Sequence, residues 1–271
     1  MTKVIDCITY FDEDMLLDFR LNVLNNYVSK FVIVEAKEDH QGNKKKLNFD
    51  IKNFSRFKNK IIYIVQEKLI VDPNTKLPKN WSKNHLKDQS QRNYISNGIE
   101  KFEDNDWIII SDLDEIPNPN AIKDFNSKFK YSVFEQKFFY YKFNLIFPSQ
   151  NWYGSRICVK KFLKSPQWLR NQKVKKKFLG IFNRGIKIIK NGGWHFSYLK
   201  SPAQIKKKIE SFAHSEYNKE EYKNLKNIET SIKNRTDLYD RNSKLEKISI
   251  TNELPVYLGE NQDKYLNWIV K

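Results

Sequence analysis

Four short and continuously apolar segments in the first half of the chain restrict its fold more than any other feature. They occupy residues 4–9, 31–35, 61–65 and 107–110. Apolar residues at helical spacing lie between them, as at Leu17, Leu21 and Leu24 and again at Ile95, Ile99 and Phe102. Strands that alternate with helices and are apolar over most of their length predict a parallel sheet covered on both faces. Such sheets bind ligands beyond the carboxyl ends of their strands.

The composition is that of a folded globular chain. Of the 271 residues, 39% are hydrophobic and 14% are aromatic, which is enough for a large core and untypical of disordered chains. The length allows one large domain or two small ones, and no linker in the sequence forces a division. We therefore expect a single α/β domain.

Several features predict a cytoplasmic location. No stretch of about 18 apolar residues predicts a transmembrane helix, and the first residues lack the apolar region of a signal peptide. Cys7 and Cys158 do not make a disulfide framework. A reducing compartment fits these features best.

The chain carries 49 Lys and Arg against 32 Asp and Glu, a net charge of +17. This excess predicts an anionic partner, which nucleic acid, a membrane surface or a phosphate-bearing small molecule would satisfy. Lysines cluster at residues 44–46, 173–177 and 206–208, although any one cluster is equally typical of a solvated surface. The sequence contains no RNP, zinc-finger or basic-zipper pattern, so the charge alone is weak support for nucleic acid.

The second half of the chain predicts fewer regular elements. Residues 131–145 are strongly aromatic and predict one long strand, residues 152–155 predict a loop, and residues 194–198 predict a short strand. Ser201 to Gln204 has the pattern of a capping box with proline at the first helical position. The helix that follows is expected to bury Ile205, Ile209 and Phe212.

An acidic segment directly follows the fourth apolar run. Asp112 and Asp114 would share one face if the strand continued through them, and two adjacent carboxylates are unfavourable unless a cation or hydrogen-bond donors compensate them. Mg²⁺ or Mn²⁺ with oxygen ligands would do so. The alternative is a pair of capping side chains in the loop before Pro117. If the strand continues as far as Glu115, that side chain would point to the other face.

Two histidines and a glutamate are further candidate site residues. His195 follows two glycines, which permit close approach of backbone or ligand, and imidazole is an acceptable ligand for Mn²⁺; a buried, hydrogen-bonded histidine is the alternative. His214 and Glu216 are placed at the end of the capped helix. They could act as a base near a reacting hydroxyl, or His214 could simply complement the helix dipole.

Arg92 is placed near the start of the helix that precedes the fourth apolar segment. An arginine there could bind a phosphate group or the edge of a nucleobase. An ordinary surface arginine is an equally good interpretation.

Taken together, these segments resemble glycosyltransferase family 17, which includes the enzyme that adds a bisecting N-acetylglucosamine to N-glycans. The resemblance extends through nearly the whole chain, and its most specific part is the combination of SDLDEIPNP with the later GGWHFSYL. Further similar segments are DCITYFDEDMLLDFRLNVL, FVIVEAKEDHQGNKKKLNF, SFAHSEY and LPVYLGENQDKYL.

The resemblance implies a GT-A fold, a Rossmann-like nucleotide-sugar-binding sheet, as a single domain. Residues 1–118 would form the nucleotide-sugar-binding half, and residues 119–271 the acceptor-binding half with the C-terminal helices. It also implies transfer from a nucleotide sugar, expected to be UDP-N-acetylglucosamine, to a glycan with inversion to a β-linkage. Asp112 and Asp114 match the family's Asp-X-Asp metal motif, and His195 matches a late metal-binding histidine.

We therefore expect a divalent metal, Mn²⁺ or Mg²⁺, bound by Asp112, Asp114 and His195. Glu35, Arg92 and Asp112 are expected to contact the nucleotide sugar. The expected general base is Glu216, with His214 and Glu115 as further candidates.

Two other functions are compatible with the sequence. One is an Asp-X-Asp phosphatase or phosphotransferase with Asp112 as nucleophile, although such enzymes usually carry the motif near the N-terminus. The other is a nucleic-acid-binding protein, which would leave the acidic segment unexplained. We expect no nucleic acid partner. Because animal members of the family carry a membrane anchor that is not seen in this sequence, we expect a cytoplasmic enzyme. Peripheral association with an anionic membrane is a further expectation, which the basic composition would suit.

Overall fold

The first four strands form where the apolar segments predict them. In the computed structural model, the described residues are 2–72, 74–75, 82–126, 128–174, 186–212, 217–239, 244–251 and 253–271. The strands are β1 (Val4–Tyr10), β2 (Lys30–Ala36), β3 (Ile61–Gln66), β4 (Trp107–Ser111), β5 (Glu115–Pro117), β6 (Tyr131–Tyr140), β7 (Leu145–Val159), β8 (Lys187–Ser197) and β9 (Glu246–Lys247).

Helices connect and cover the strands. They are α1 (Asp14–Leu24), α2 (Lys83–Asn93), α3 (Ile95–Ile99), α4 (Pro119–Ile122), α5 (Pro166–Arg170), α6 (Pro202–Ser211), α7 (Glu220–Lys223), α8 (Leu225–Asn234) and α9 (Val256–Glu260). Short 3₁₀ helices occupy Ile51–Phe57, Lys160–Phe162 and Gln262–Trp268. Among the described residues, no helix has the length and apolar character that crossing a bilayer requires.

One mixed sheet connects the two halves of the chain. Its strand order is β3-β2-β1-β4-β7-β6-β8-β5, with β9 paired to β7. Strands β3, β2, β1 and β4 are parallel, and β7 joins them by antiparallel pairing with β4. The predicted α/β class and the parallel first half are confirmed, whereas the division at residue 118 stays a prediction.

Both faces of the parallel part are buried, as predicted. On one face Ile8 lies in a core cluster with Leu17 and Leu21 of α1. On the other face Ile5 packs in a separate cluster with Ile95 of α3. Because successive side chains of a strand point to opposite faces, a strand covered on both sides is apolar at most positions, and a charged residue such as Asp6 in β1 needs a buried partner.

The second half contains more strand than the sequence predicted. The predicted strand at 131–145 is two strands, β6 and the start of β7, and the predicted loop at 152–155 lies inside β7. Pairing with β6 opposes Trp152 to Gln136, and these tertiary hydrogen bonds override the local loop pattern. Gly154 is needed there because a Cβ would lie 2.4 Å from Gln136 Oε1.

The two glycines before His195 allow a close backbone approach. Gly193 has φ +135°, and a Cβ at this position would lie 2.1 Å from the carbonyl oxygen of Ile116. The approach lets β5 pair antiparallel with β8, so that Glu115 lies opposite His195. The predicted strand at 194–198 is therefore the end of a longer strand.

Helix α6 begins with the predicted capping box. The Ser201 side chain accepts a hydrogen bond from the backbone N–H of Gln204, the Gln204 side chain accepts one from Ser201 N, and Pro202 occupies the first turn. Ile205 and Ile209 are fully buried, as expected. The capping pattern therefore fixes the residue at which this helix begins.

A fully buried ion pair connects β1 to α1. Arg20 donates from Nε and Nη2 to the two carboxylate oxygens of Asp6, at 2.7 and 2.6 Å. Both side chains are completely inaccessible. Neither residue was predicted from the sequence. A bidentate buried pair of this kind is costly to break, because the remaining partner becomes an uncompensated charge.

Asp6→Asn is expected to destabilise the protein strongly, since it leaves the Arg20 guanidinium buried beside a neutral amide. The free energy of unfolding should fall by about 3–5 kcal/mol in urea denaturation. Lys37→Ala is the control: its ion pair with Glu67 joins side chains that are 45% and 72% exposed, so the loss should be about 1 kcal/mol or less. Equal losses for the two variants would contradict the importance of the buried pair.

Candidate active site

A cleft of about 450 Å³ opens beyond the carboxyl ends of β1, β2 and β4, where ligands bind in open α/β sheets. One end is mainly polar and is lined by Thr9, Tyr10, Phe11, His40, Lys45 and Gln91. The other end is aromatic and is lined by Phe138, Tyr140, Trp152, Tyr198, Tyr217 and Tyr239. Asp112 and Asp114 lie between the two ends.

The two aspartates lie in a turn rather than in a strand. Strand β4 ends at Ser111, and the backbone N–H of Glu115 donates to the carbonyl oxygen of Asp112 at 3.0 Å. Arg20 lies beneath this turn, and its Nη1 donates to the carbonyl oxygens of Leu113 and Glu115 at 3.2 and 2.5 Å. The buried ion pair of Arg20 therefore also fixes the backbone that carries the acidic side chains.

Two arginines bind the Asp112 carboxylate. Arg92 Nη2 donates to Oδ1 and Arg170 Nη2 donates to Oδ2, each at 2.9 Å. Burial by itself would raise the pKa of Asp112, but the two guanidinium groups outweigh it and hold the pKa well below its ordinary range. The Asp112 side chain is nevertheless 37% exposed, so part of it faces the cleft.

Arg92 is buried, so it is not an ordinary surface arginine, and its contact with a phosphate or nucleobase stays a prediction. It lies at the end of α2 and not near its start, because α2 extends from Lys83 to Asn93. There it also binds Asp88 with two hydrogen bonds of 2.9 Å. The guanidinium thus connects the helix to the acidic turn and has the geometry of an anion-binding group.

Asp114 binds a lysine and a histidine. Lys208 Nζ donates to Oδ2 at 3.1 Å, and His195 Nε2 lies 3.6 Å from Oδ1. Burial would raise the pKa of Asp114, but the Lys208 ammonium and His195 lower it far below its ordinary range. The His195 ring packs against both Phe138 and Trp152, with centroid distances of 4.8 and 4.5 Å. Asp114 is therefore ionised throughout the physiological pH range.

The pair formed by Asp114 and His195 fits a divalent metal. Ligand atoms lie about 2.0–2.2 Å from such ions, so two ligands of one ion are separated by about 3–4 Å, and the observed 3.6 Å falls in this range. Each oxygen of Asp112 keeps a lone pair beside its arginine. No group of three or more His, Cys, Asp or Glu in the described part of the chain is arranged as a metal site. The three-ligand set with Asp112 stays a prediction.

Glu115 is fully buried, and its carboxylate is saturated with hydrogen bonds. It accepts from Trp152 Nε1 at 2.7 Å and from the backbone N–H of Asp112 at 3.0 Å. Arg170 donates two more, at 2.6 and 2.9 Å. Four donors fill the lone pairs of a carboxylate. This environment favours a positioning role for Glu115, which holds Arg170 and Trp152, over the base predicted from the sequence.

Glu35 is also fully buried, below the polar end of the cleft. It accepts hydrogen bonds from the backbone N–H groups of Asn48 and Phe49, at 2.8 and 3.1 Å, and from Tyr63 Oη at 2.8 Å. Its ion-pair partner is Lys45, which does line the cleft. Glu35 itself is not among the residues that line the cleft, and its predicted contact with the nucleotide sugar stays a prediction.

His214 and Glu216 lie outside the described residues. Phe212 and Tyr217, the described residues on either side of this segment, both line the aromatic end of the cleft. The predicted base therefore stays a prediction.

Several residues of the site were not predicted individually. Arg170 lies 58 residues from Asp112 in the sequence, and no local pattern identifies it. Lys208 belongs to the cluster 206–208, for which a solvated surface was the alternative. Lys200 and Lys207 each bind Asp12 at 2.7 Å. The sequence offers one signal for these contacts, which is that clusters of lysines and groups of acidic residues could neutralise each other. It does not say which lysine pairs with which carboxylate.

Arg170→Lys is expected to weaken the site although the charge is kept. A lysine cannot reproduce the planar fork that binds Asp112 and Glu115 together, so the free energy of unfolding should fall by about 2–3 kcal/mol. Arg56→Lys is the matched control, because Arg56 makes an exposed hydrogen bond of 3.3 Å to Asn22 Oδ1 and lies 5.7 Å from the Phe57 ring centroid, and it should change stability by about 0.5 kcal/mol or less. Urea denaturation of both variants measures the difference, and an unchanged Arg170→Lys protein would contradict the proposed clamp.

Comparison with known proteins identifies the family. No curated protein sequence matches the chain. Two solved structures are similar over 73% and 70% of this chain and 91% and 90% of theirs: HddC from Yersinia pseudotuberculosis and the same protein complexed with GMP-PN. Their identities are 12% and 10%, and their TM-scores of 0.33 and 0.32 are too low to bear on the fold.

The sequence profile of glycosyltransferase family 17 matches residues 1–266, nearly the whole chain. This match supports transfer of a sugar from a donor to an acceptor over the phosphatase and nucleic-acid alternatives. The chain, with its acidic turn at the mouth of a mixed α/β sheet, belongs to glycosyltransferase family 17.

Proposed function

We propose that this glycosyltransferase has a GT-A fold, depends on a divalent metal, and transfers N-acetylglucosamine from UDP-N-acetylglucosamine to a glycan hydroxyl with inversion to a β-linkage. The observation that carries the proposal is the acidic turn, whose Asp112 and Asp114 face a cleft at the carboxyl end of β4 and are surrounded by cationic side chains. A nucleotide diphosphate needs this combination of positive charge and metal ligands.

The donor diphosphate would bind between the two ends of the cleft. Arg92 and Lys208 line the cleft there, and Arg170 lies behind them on Asp112. Asp114 and His195 would hold Mn²⁺ or Mg²⁺, with Asp112 as the third ligand. Such an ion supplies positive charge against the diphosphate as a leaving group. The two arginines keep Asp112 ionised and oriented whether or not a donor is bound.

The aromatic end of the cleft suits a glycan acceptor. Trp152, Tyr217 and Tyr239 present ring surfaces to the cleft, and aromatic rings pack well against the apolar faces of sugars. Tyr217 and Tyr239 lie against each other with a centroid distance of 4.2 Å. An acceptor bound here would present its hydroxyl to the anomeric carbon of a donor whose diphosphate lies at Asp114.

The reaction would be one displacement. The acceptor oxygen forms a bond to the anomeric carbon while the bond from that carbon to the diphosphate oxygen breaks, and the acceptor proton passes to a general base. Attack opposite the leaving group inverts the anomeric centre. We retain Glu216 as the base, with His214 as the second candidate, since the residues flanking this segment line the cleft.

Metal-dependent binding of UDP tests the proposed donor site. Calorimetry should detect UDP binding with Mn²⁺ and much weaker binding with EDTA.

Asp114→Ala should abolish turnover while the protein stays folded. The pKa of Asp114 is depressed, so its carboxylate is ionised throughout the neutral range. The defect should therefore be equal at pH 6 and pH 8. Asp124→Asn, an exposed carboxylate outside the cleft, is the control. Binding of UDP without metal, or turnover by Asp114→Ala, would contradict the site.

The donor sugar is tested separately by slow hydrolysis. A panel of UDP- and GDP-sugars with Mn²⁺ should show UDP-N-acetylglucosamine hydrolysed fastest, which requires no knowledge of the acceptor. Faster hydrolysis of another sugar nucleotide would overturn the proposed donor and leave the glycosyltransferase assignment intact.

Glu216→Gln is expected to lower kcat by about 10²–10⁴-fold, because the acceptor proton then has no base, and to leave UDP binding unchanged. Glu221→Gln, which changes an exposed carboxylate of α7 whose side chain is 58% accessible, is the control and should keep full turnover. Full activity of Glu216→Gln together with loss of activity in His214→Gln would transfer the role to His214.

A further inference from the structure

His40 lies at the polar end of the cleft, in the segment between β2 and the 3₁₀ helix at Ile51–Phe57. This segment forms a short hairpin, in which Glu38 and Lys44 are bridged across the turn. His40 and Gln91 both line the cleft, and His40 Nε2 lies 2.9 Å from Gln91 Oε1. The imidazole is therefore held at the place where the two parallel strands β1 and β2 end.

The side-chain amide of Gln91 has one orientation that satisfies its neighbours. Its Nε2 faces the carbonyl oxygens of Tyr10 and Val34, at 3.4 and 3.2 Å. Both are acceptors, so the amide nitrogen must point toward them and the amide oxygen toward His40. Gln91 is buried, and the strand carbonyls that hold it are part of the sheet.

The orientation of Gln91 determines the tautomer of His40. An amide oxygen only accepts, so His40 Nε2 must carry the hydrogen in their shared bond. In a neutral imidazole the other nitrogen, Nδ1, is then an acceptor. Asp88 Oδ1 lies 4.0 Å from Nε2, on the same side of the ring, and the contacts of His40 with the described residues are made through Nε2.

His40 Nδ1 is open to the cleft. His40 lines the cleft, its side chain is 21% exposed, and Nε2 is the nitrogen that is turned toward Gln91. The polar end of the cleft thus presents a hydrogen-bond acceptor whose orientation is set by the sheet through Gln91. Such an acceptor binds a ligand that presents an N–H group, and it disfavours a ligand that presents a lone pair at the same place.

Helix α2 places this acceptor beside the phosphate-binding region. Gln91 orients His40, and the next residue, Arg92, binds Asp112 in the acidic turn. Two adjacent side chains of one helix therefore organise the polar end of the cleft and its centre. A donor whose diphosphate lies at the acidic turn would extend its nucleoside toward His40.

We propose that His40 recognises the nucleobase of the donor, and that its Nδ1 accepts a hydrogen bond from the ring N–H of an imide base, uracil or thymine. The proposal rests on the proposed function, since it requires a nucleotide-sugar donor in this cleft. Uracil and thymine carry a hydrogen at N3, whereas cytosine has a lone pair there, which would face the lone pair of Nδ1. His40 thereby selects against cytidine nucleotides.

Two substitutions of His40 distinguish the role of Nδ1 from that of Nε2. The amide of His40→Gln reaches the position of Nε2 and keeps the bond to Gln91, but leaves no acceptor at Nδ1. The amide of His40→Asn reaches the position of Nδ1, where it can turn its oxygen to uracil or its nitrogen to cytosine. Lys44→Gln changes an exposed side chain of the same hairpin and is the control.

The experiment is calorimetry of UDP, dTDP, CDP and GDP with Mn²⁺ at about pH 8, where imidazole is ordinarily neutral. The wild-type protein and Lys44→Gln should bind UDP and dTDP about tenfold or more tighter than CDP, the factor expected for one hydrogen bond. His40→Gln should bind UDP about tenfold more weakly, at the level of CDP. His40→Asn should keep UDP affinity and bind CDP comparably.

The outcomes distinguish the two proposals. UDP binding that His40→Gln leaves unchanged, or wild-type binding of CDP or GDP as tight as that of UDP, would overturn the role of His40 and leave the donor site in place. Failure of the wild-type protein to bind any of the four nucleotides would overturn the proposed function together with this inference.

Discussion

The buried ion pair between Arg20 and Asp6 is the interaction on which the site depends. The bidentate bond to Asp6 neutralises the charge of Arg20 inside the protein, and the remaining donors of Arg20 hold the carbonyl oxygens of the acidic turn. A turn whose carbonyls lacked these donors would be free to choose other conformations. The positions of Asp112 and Asp114 therefore follow from an ion pair that does not touch the cleft.

Above this ion pair, the cleft consists of opposite charges held close together. Asp112 lies between two arginines and Asp114 between Lys208 and His195. This compensation explains why three acidic residues can occur within four positions at the end of a buried strand. Peripheral binding to an anionic membrane stays a prediction.

The first half of the fold and the family were predictable from the sequence, because both are carried by continuous local patterns. Continuous apolar runs identified β1 to β4, and the capping box identified the start of α6. The motifs SDLDEIPNP and GGWHFSYL identified the family. The second half was predicted less well. A loop was predicted for residues 152–155, but this segment belongs to β7 and pairs with the neighbouring strand β6. Pairing between distant segments leaves little local signal.

The sequence by itself determined the elements, the carboxylates of the acidic turn and the family to which the chain belongs. Only the tertiary structure decided which partner each charge has. It buried Glu35 and Glu115 among several hydrogen-bond donors, brought Arg170 to Asp112, and placed Gln91 against His40. The physical reason is that burial and hydrogen-bond saturation depend on groups from distant parts of the chain, whereas strand and helix patterns depend on neighbours.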